Sequence, residues 1–303
     1  MSEEVIIKES ENIKSILEDI KIAYKNTREQ TPLTQCITNF VTVTDCANAS
    51  LAAGGSPIMA EDAEEVAEIT NIASALVINI GTINQAQVKG IIKGAKQANE
   101  TNTPIVFDPV GAGISGLRNR ITKELVENYK IGIIRGNMSE IKAIARLIDL
   151  EFSFNKDNDS AGKGVDVAES DIISKENLDI NGLIVKELAN ELDTVVLASG
   201  PIDIISDGEK TFCLENGDAI MPLITGSGCM LSTVIGSYHG ANDAFIAGIA
   251  GSALMAIAGE KAAEEVMKNK LGTGSFRTLF IDYISKLTAE EIVENANLFE
   301  LNI

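Results

Sequence analysis

Four stretches of this chain are almost wholly apolar and each is only a few residues long: Ala75-Leu76-Val77-Ile78-Asn79-Ile80, Pro104-Ile105-Val106-Phe107-Asp108, Ile131-Gly132-Ile133-Ile134-Arg135 and Asp193-Thr194-Val195-Val196-Leu197-Ala198-Ser199. A strand that is apolar on both sides must be covered on both sides, and parallel sheets meet that need with helices on each face. Helical spacing of apolar residues fills the gaps between these runs, for example over 84–99 and 181–192. Alternation of this kind predicts an α/β fold, with a central, mainly parallel sheet flanked by helices on both faces.

The ends of the runs are polar. Asp108, Arg135 and Ser199 each stand where an apolar stretch stops, and Asn39 follows a shorter one, Leu33-Thr34-Gln35-Cys36-Ile37-Thr38. Ligands of open α/β sheets sit beyond the carboxyl ends of the strands. On pattern alone ordinary turn chemistry is the stronger reading of Asn39, whereas Asp108 is well placed to bind a ligand, although an Asp before Pro is also a common turn starter. Ser56-Pro57-Ile58-Met59-Ala60 runs extended, with Met59 as core filling on the plain reading. Gly136-Asn137 reads as a turn, after which residues 138–147 form a helix with Glu140 in its first turn. Glu140 there is an acid at the positive end of a helix dipole, or a second acid near Asp108.

Late in the chain, Thr225-Gly226-Ser227-Gly228-Cys229 opens into an apolar helix. Thr225 and Ser227 are candidate caps. The first N–H groups of a helix lack internal partners and carry partial positive charge, so a glycine turn at this point suits a phosphate. Cys229 is core filling on the plain reading. On the sharper one it sits at the mouth of an anion site, where a helix N-terminus lowers a thiol pKa.

The Ile202-Asp203-Ile204-Ile205-Ser206 and Lys210-Thr211-Phe212-Cys213-Leu214 runs around Asp207-Gly208 form a hairpin signal. Small residues dominate helices over 242–270, and a final helix begins at a Thr288-x-x-Glu291 capping box, after another from about Phe276. Residues 151–170 are polar and glycine-rich, as in a loop.

Composition narrows the functional classes. The net charge is −19, which disfavours nucleic acid and anionic membranes as partners. It leaves room for a nucleotide, whose charge one Mg²⁺ and a few basic side chains neutralise. Four scattered cysteines and one histidine do not make a zinc site, and free thiols point to a cytoplasmic setting. No run reaches membrane-spanning length and no linker is visible, so residues 1–303 are taken as one domain.

With these residues in view, the chain resembles the hydroxyethylthiazole kinase family of the ribokinase-like superfamily. Ile37-Thr38-Asn39, Gly55-Ser56-Pro57-Ile58-Met59-Ala60, Asn79-Ile80-Gly81-Thr82, Asp108-Pro109-Val110-Gly111-Ala112-Gly113, Ile134-Arg135-Gly136-Asn137 with Glu140, Lys163-Gly164-Val165-Asp166 and Thr225-Gly226-Ser227-Gly228-Cys229 follow that family's order. The resemblance implies a ribokinase-like fold and ATP-dependent phosphorylation of 4-methyl-5-(2-hydroxyethyl)thiazole, a salvage step of thiamine biosynthesis. It also implies a homotrimer with active sites at the subunit interfaces. It assigns Met59, Asn39 and Gly226 to the thiazole pocket and Arg135 and Ser199 to ATP, the latter replacing a customary Thr. Asp108 and Glu140 would place Mg²⁺. Cys229 stands where most ribokinase-like kinases have an Asp general base. Thr44-Asp45-Cys46, where Asn-Phe-Thr is common, and the segment around 151–162 depart from the pattern. Other readings are a kinase for a hydroxymethylpyrimidine, a hydrate dehydratase of similar fold, and a non-catalytic thiazole- or nucleotide-binding protein.

Overall fold

Five short strands whose side chains are buried on both faces set the frame. In the computed structural model, which describes residues 11–152 and 171–303, they are β1 (Leu33–Ile37), β3 (Ala75–Asn79), β4 (Ile105–Asp108), β5 (Ile133–Asn137) and β6 (Val195–Ser199). With β2 (Ser56–Ile58), β7 (Asp203–Ser206), β8 (Thr211–Leu214) and β9 (Leu298–Glu300) they form one nine-stranded sheet, ordered β2-β1-β3-β4-β5-β6-β7-β8-β9. β1 to β6 run parallel, and β7 to β9 complete the sheet antiparallel. The hairpin expected around Asp207-Gly208 is therefore β7–β8, with Gly208 at a φ of 91°.

Alternation along each strand divides the core in two. Cys36, Val77, Val106, Ile133, Val195 and Leu197 face one layer. It contains the helices α1 (Glu11–Gln30), α2 (Val43–Ala53), α8 (Ser227–His239), α9 (Ala244–Asn269), α10 (Thr273–Lys286) and α11 (Ala289–Asn295). Ile37, Leu76, Ile78, Phe107, Ile134 and Val196 face the other. There they meet α3 (Val66–Ile72), α4 (Gln85–Thr101), α5 (Gly116–Asn128), α6 (Met138–Leu147) and α7 (Leu178–Leu192). Burial on both sides is why these strands read as unbroken apolar runs rather than alternating ones.

Several local expectations need correction. Gly136-Asn137 does not turn. β5 runs through both residues and passes directly into α6, because the Asn137 side chain accepts the Glu140 N–H as the helix cap. The 242–270 region is one 26-residue helix, not several, and α10 starts at Thr273, ahead of Phe276. α9 is long and apolar enough to cross a membrane, but 72% of its apolar window is buried inside the fold, as in a core helix. The Lys163-Gly164-Val165-Asp166 motif and residues 153–170 of the expected loop lie outside the described residues. The Thr288–Glu291 capping box forms as read.

Candidate active site

The carboxyl ends of β1, β3, β4, β5 and β6 open onto the start of α8, and the polar residues that end those strands meet there. The helix begins at Gly226, whose φ of 91° lies in the left-handed region that glycine adopts without strain. A Cβ at this position would come within 2.4 Å of Thr42 Cγ2, so the turn is also too tight for a side chain. Neither Thr225 nor Ser227 caps the helix, contrary to expectation: Gly226 holds the cap position with no side-chain bond. The first backbone bond of α8 runs from Met230 N–H to the Gly226 carbonyl at 2.8 Å. The N–H groups of Ser227, Gly228 and Cys229 thus have no carbonyl inside the helix, which is the geometry of an anion cradle.

Arg135 lies against this cradle. A Cβ on Gly228 would come 2.7 Å from its Nη1. Its Nη2 donates to Ser199 Oγ at 2.5 Å, and Nη1 stands 3.8 Å from Asp108 Oδ2. The cation, the hydroxyl and the helix start thus face one cleft of about 510 Å³, lined also by Asp203, Asn216, Leu231 and Met255. A second cavity of about 460 Å³ opens at the opposite end of the sheet around His239 and Lys130, and it contains none of these groups.

Beside the cleft is a chain of buried polar contacts. β3 and β4 pair in register so that Asn79 faces Asp108, and Asn79 Nδ2 donates to Asp108 Oδ2 at 2.8 Å. Ser232 Oγ donates to the same oxygen at 2.7 Å. Asn79 Nδ2 also reaches Cys229 Sγ at 3.3 Å, and Asn39 Nδ2 reaches that sulfur at 3.2 Å and Asn79 Oδ1 at 3.2 Å. Asn39 is oriented in turn by Thr42, whose N–H and hydroxyl both donate to its Oδ1. β1 and β3 are neighbours in space with β2 on the far side of β1, so Asn39 and Asn79 flank the point where the strand order reverses. Such switch points are where sheets of this kind bind ligands.

Burial governs the charges here. Asp108 is 1% exposed, and its pKa rises to about 6, chiefly through desolvation, with Glu140 adding to the rise and Arg135 opposing it. Cys229 moves against expectation. Its pKa is raised, first by burial and then by the nearby Asp108, while Thr42, Asn79 and Asn39 pull the other way. The sulfur is therefore held as a thiol despite its place at a helix start.

Glu140 is the first-turn acid of α6, and it stands near enough to Asp108 to act on it electrostatically. Its Oε2 accepts the Asn137 N–H at 2.8 Å, the reciprocal half of a capping box. Its Oε1 accepts the Gly111 N–H at 2.8 Å, which fastens the loop that follows Asp108. Met59 stands apart from this network. It lies just past β2, one strand outward from Asn39, half-buried against the core. Among the described residues no group of three or more His, Cys, Asp or Glu side chains could hold a metal ion. Asp108 Oδ1, however, is buried and has no hydrogen-bond partner. A buried carboxylate oxygen left unpaired in this way suits a cation completed by ligand oxygens and water.

Asn79, Ser232, Thr42 and Asp203 are site residues that the strand-end reading did not single out. Asn79 carried a signal, since it closes an apolar run one strand away from Asp108. Ser232 carried a weaker one, one helical turn after Gly228.

A mainly parallel sheet with a glycine-turn helix start, an Arg and a Ser at one cleft and a buried Asp beside it has the ribokinase-like fold. A ribokinase-like superfamily protein from Enterococcus faecalis superposes with a TM-score of 0.53 at 11% identity, covering 90% of this chain and 83% of that one, a likeness of fold alone. More specifically, the model of the hydroxyethylthiazole kinase family matches residues 24–290, and the chain belongs to that family. It is 52% identical over 287 residues to the hydroxyethylthiazole kinase of Methanobrevibacter smithii, covering 95% of this chain and 98% of the relative. It is similar also to the solved hydroxyethylthiazole kinase of Pyrococcus horikoshii, with a TM-score of 0.80 and 32% identity over 94% of this chain and 100% of that one.

Proposed function

We propose that this kinase transfers the γ-phosphoryl group of ATP to the primary hydroxyl of 4-methyl-5-(2-hydroxyethyl)thiazole, in thiamine salvage. The observation that carries the reading is the convergence of Asn39, Asn79, Asp108 and Cys229 beside an unpartnered helix start and Arg135. Nucleotide phosphates lie along Arg135, Ser199 and the Ser227–Cys229 N–H groups. The thiazole lies on the other side of Gly226, between the Asn39 segment and Met59, so that its hydroxyl meets the transferring phosphoryl group near Cys229.

Phosphoryl transfer proceeds through a loose transition state, so positioning and charge neutralisation supply most of the catalysis. The backbone N–H groups of α8 and the Arg135 guanidinium face the oxygens on which negative charge accumulates. Cys229 takes the hydroxyl proton. Burial keeps the sulfur protonated at rest, so it acts through its minor thiolate form, and the N–H donors of Asn39 and Asn79 stabilise that form. Asp108 would hold Mg²⁺ through its unpaired Oδ1, with Glu140 assisting through water. When bound, the ion neutralises phosphate charge.

We take residues 1–303 as one kinase domain acting in the cytoplasm. We also propose a homotrimer with active sites at the interfaces. Phe40 and Val41, which directly follow Asn39, support this, because large apolar side chains at 75% and 56% exposure suit burial against a second copy.

The test is coupled ADP release from Mg-ATP, with and without the hydroxyethylthiazole, and with a hydroxymethylpyrimidine as control. Release that requires the thiazole is the expected result. Release with the pyrimidine alone would reassign the substrate, and thiazole binding without release from either would mark a binding protein.

A further inference from the structure

Asp203 opens β7 immediately after the turn that leaves Ser199, and it lines the 510 Å³ cleft while only 8% exposed. Its Oδ1 accepts the Gly200 N–H at 3.0 Å, which closes the turn. Among the described residues none donates to Oδ2. A carboxylate in a cleft that takes a polyphosphate is repelled by the phosphates, so it must face an uncharged part of the ligand. Arg135 marks the phosphate end. It is close enough to act on Asp203 electrostatically, yet its ion pair is with Asp108. Asp203 is thus one step removed from the phosphates. The same cleft also carries apolar surface, from Met221, Leu231, Met255 and Ala256, suited to the face of a base. Between phosphate and base a nucleotide presents its sugar, whose vicinal hydroxyls are hydrogen-bond donors. An ionised carboxylate is an acceptor only, and carboxylates bind ribose hydroxyls in this manner in other nucleotide sites.

We infer that Asp203 reads the sugar of the nucleotide, accepting a hydrogen bond from a ribose hydroxyl and so selecting ribonucleotides over deoxynucleotides. The inference rests on the cleft being the ATP site.

The experiment measures kcat and KM with Mg-ATP, 2′-deoxy-ATP and 3′-deoxy-ATP for the wild type and Asp203→Asn. Asn keeps an acceptor for the Gly200 N–H, so the turn survives, and a thermal melt of the variant checks this. In the wild type at least one deoxynucleotide should show a KM roughly tenfold or more above that of ATP, the scale of a lost hydrogen bond to a charged group. In Asp203→Asn the KM for ATP should rise by a similar factor and that for the deoxynucleotide should stay put, with kcat little changed in both. A wild type that uses all three nucleotides alike overturns the inference even if the variant does not fold. So does a variant that keeps the wild-type preference. Arg135→Ala separates the two levels. If ATP turnover depends on Arg135 but ignores the sugar, the cleft stands and the role of Asp203 falls. If the wild type turns over no ATP, the reading of the cleft falls, and the inference with it.

Discussion

Asn79 and Asp108 occupy matched positions at the ends of two adjacent parallel strands, and the Asn79 amide donates to the Asp108 carboxylate at 2.8 Å. The same nitrogen contacts the sulfur of Cys229, so one buried side chain sets the positions of both the acid and the thiol.

Asn79→Ala should therefore damage the site from two directions. It leaves Asp108 Oδ2 with only Ser232 as a close donor and removes one of the two amides on the sulfur. Loss of a partner to a buried polar group costs about 1–3 kcal/mol. We expect denaturant unfolding to show a destabilisation of that size and kcat to fall about tenfold or more, with the KM for ATP changed less. Wild-type kcat in a stably folded Asn79→Ala variant would show that the amide does not position the site.

Cys229→Ala should slow the enzyme without silencing it. A general base typically contributes ~10²–10⁴-fold, and the backbone N–H groups of α8 remain when the sulfur is gone. Because burial and Asp108 raise the thiol pKa, the basic form becomes more abundant as pH rises. The kcat/KM of the wild type should climb through the alkaline range, and that climb should be missing in the variant. A variant with wild-type turnover and an unchanged pH profile would remove the base role and leave the anion cradle intact.

Asp203 makes stability depend on pH in a defined direction. Its folded pKa is raised from 3.8 to about 6, mainly by burial. The folded state therefore binds the proton more tightly than the unfolded one. The resulting stabilisation is complete below the unfolded pKa and is lost as pH rises through about 6. Asp203→Asn does not titrate. Between pH 4 and pH 8 its unfolding free energy should fall less than that of the wild type, by on the order of 2–3 kcal/mol. Urea titrations at the two pH values measure this, and parallel losses in the two proteins would contradict it.

Gly226→Ala meets two obstacles, a left-handed φ of 91° and a contact of 2.4 Å with Thr42 Cγ2. Strained backbone of this kind costs about 1–3 kcal/mol. The variant should lose stability on that scale and bind the thiazole poorly. Adding Thr42→Ser removes the methyl that is struck hardest but leaves the Cβ of residue 42 at 2.9 Å and the φ, so recovery should be partial. Full recovery would mean that packing alone excludes a side chain at this position.

The sequence foretold the frame well where burial is uniform. The runs ending at Asn79, Asp108 and Ser199 are strands because helices cover both faces, and covered strands have no polar side to blur the pattern. Reading strand ends also found Arg135, Asp108, Ser199 and Asn39 together. What it missed depends on register and on the third dimension. Nothing near Asn79 in the chain says that β4 pairs with β3 so as to put Asp108 opposite it. Asp203 looked like part of a hairpin, and it becomes a cleft residue only once α9 lies across the sheet. The expected caps at Thr225 and Ser227 were wrong because a glycine-only conformation already begins α8. The thiol shift was misjudged because the helix start was visible in sequence, whereas the burial of the sulfur and, after it, the acid beside it were not.

The strand order has a consequence for how the chain is made. β9 pairs with β8, yet it is separated from it in sequence by every helix from α8 to α11. As the protein leaves the ribosome, β8 must wait with an open edge until residues 298–300 emerge. An open edge is a template for the strands of other chains. The sheet behind the kinase site is thus sealed only by a strand that follows all four of those helices, and a nascent chain stalled before that strand would carry the residues of the site with an edge open to aggregation.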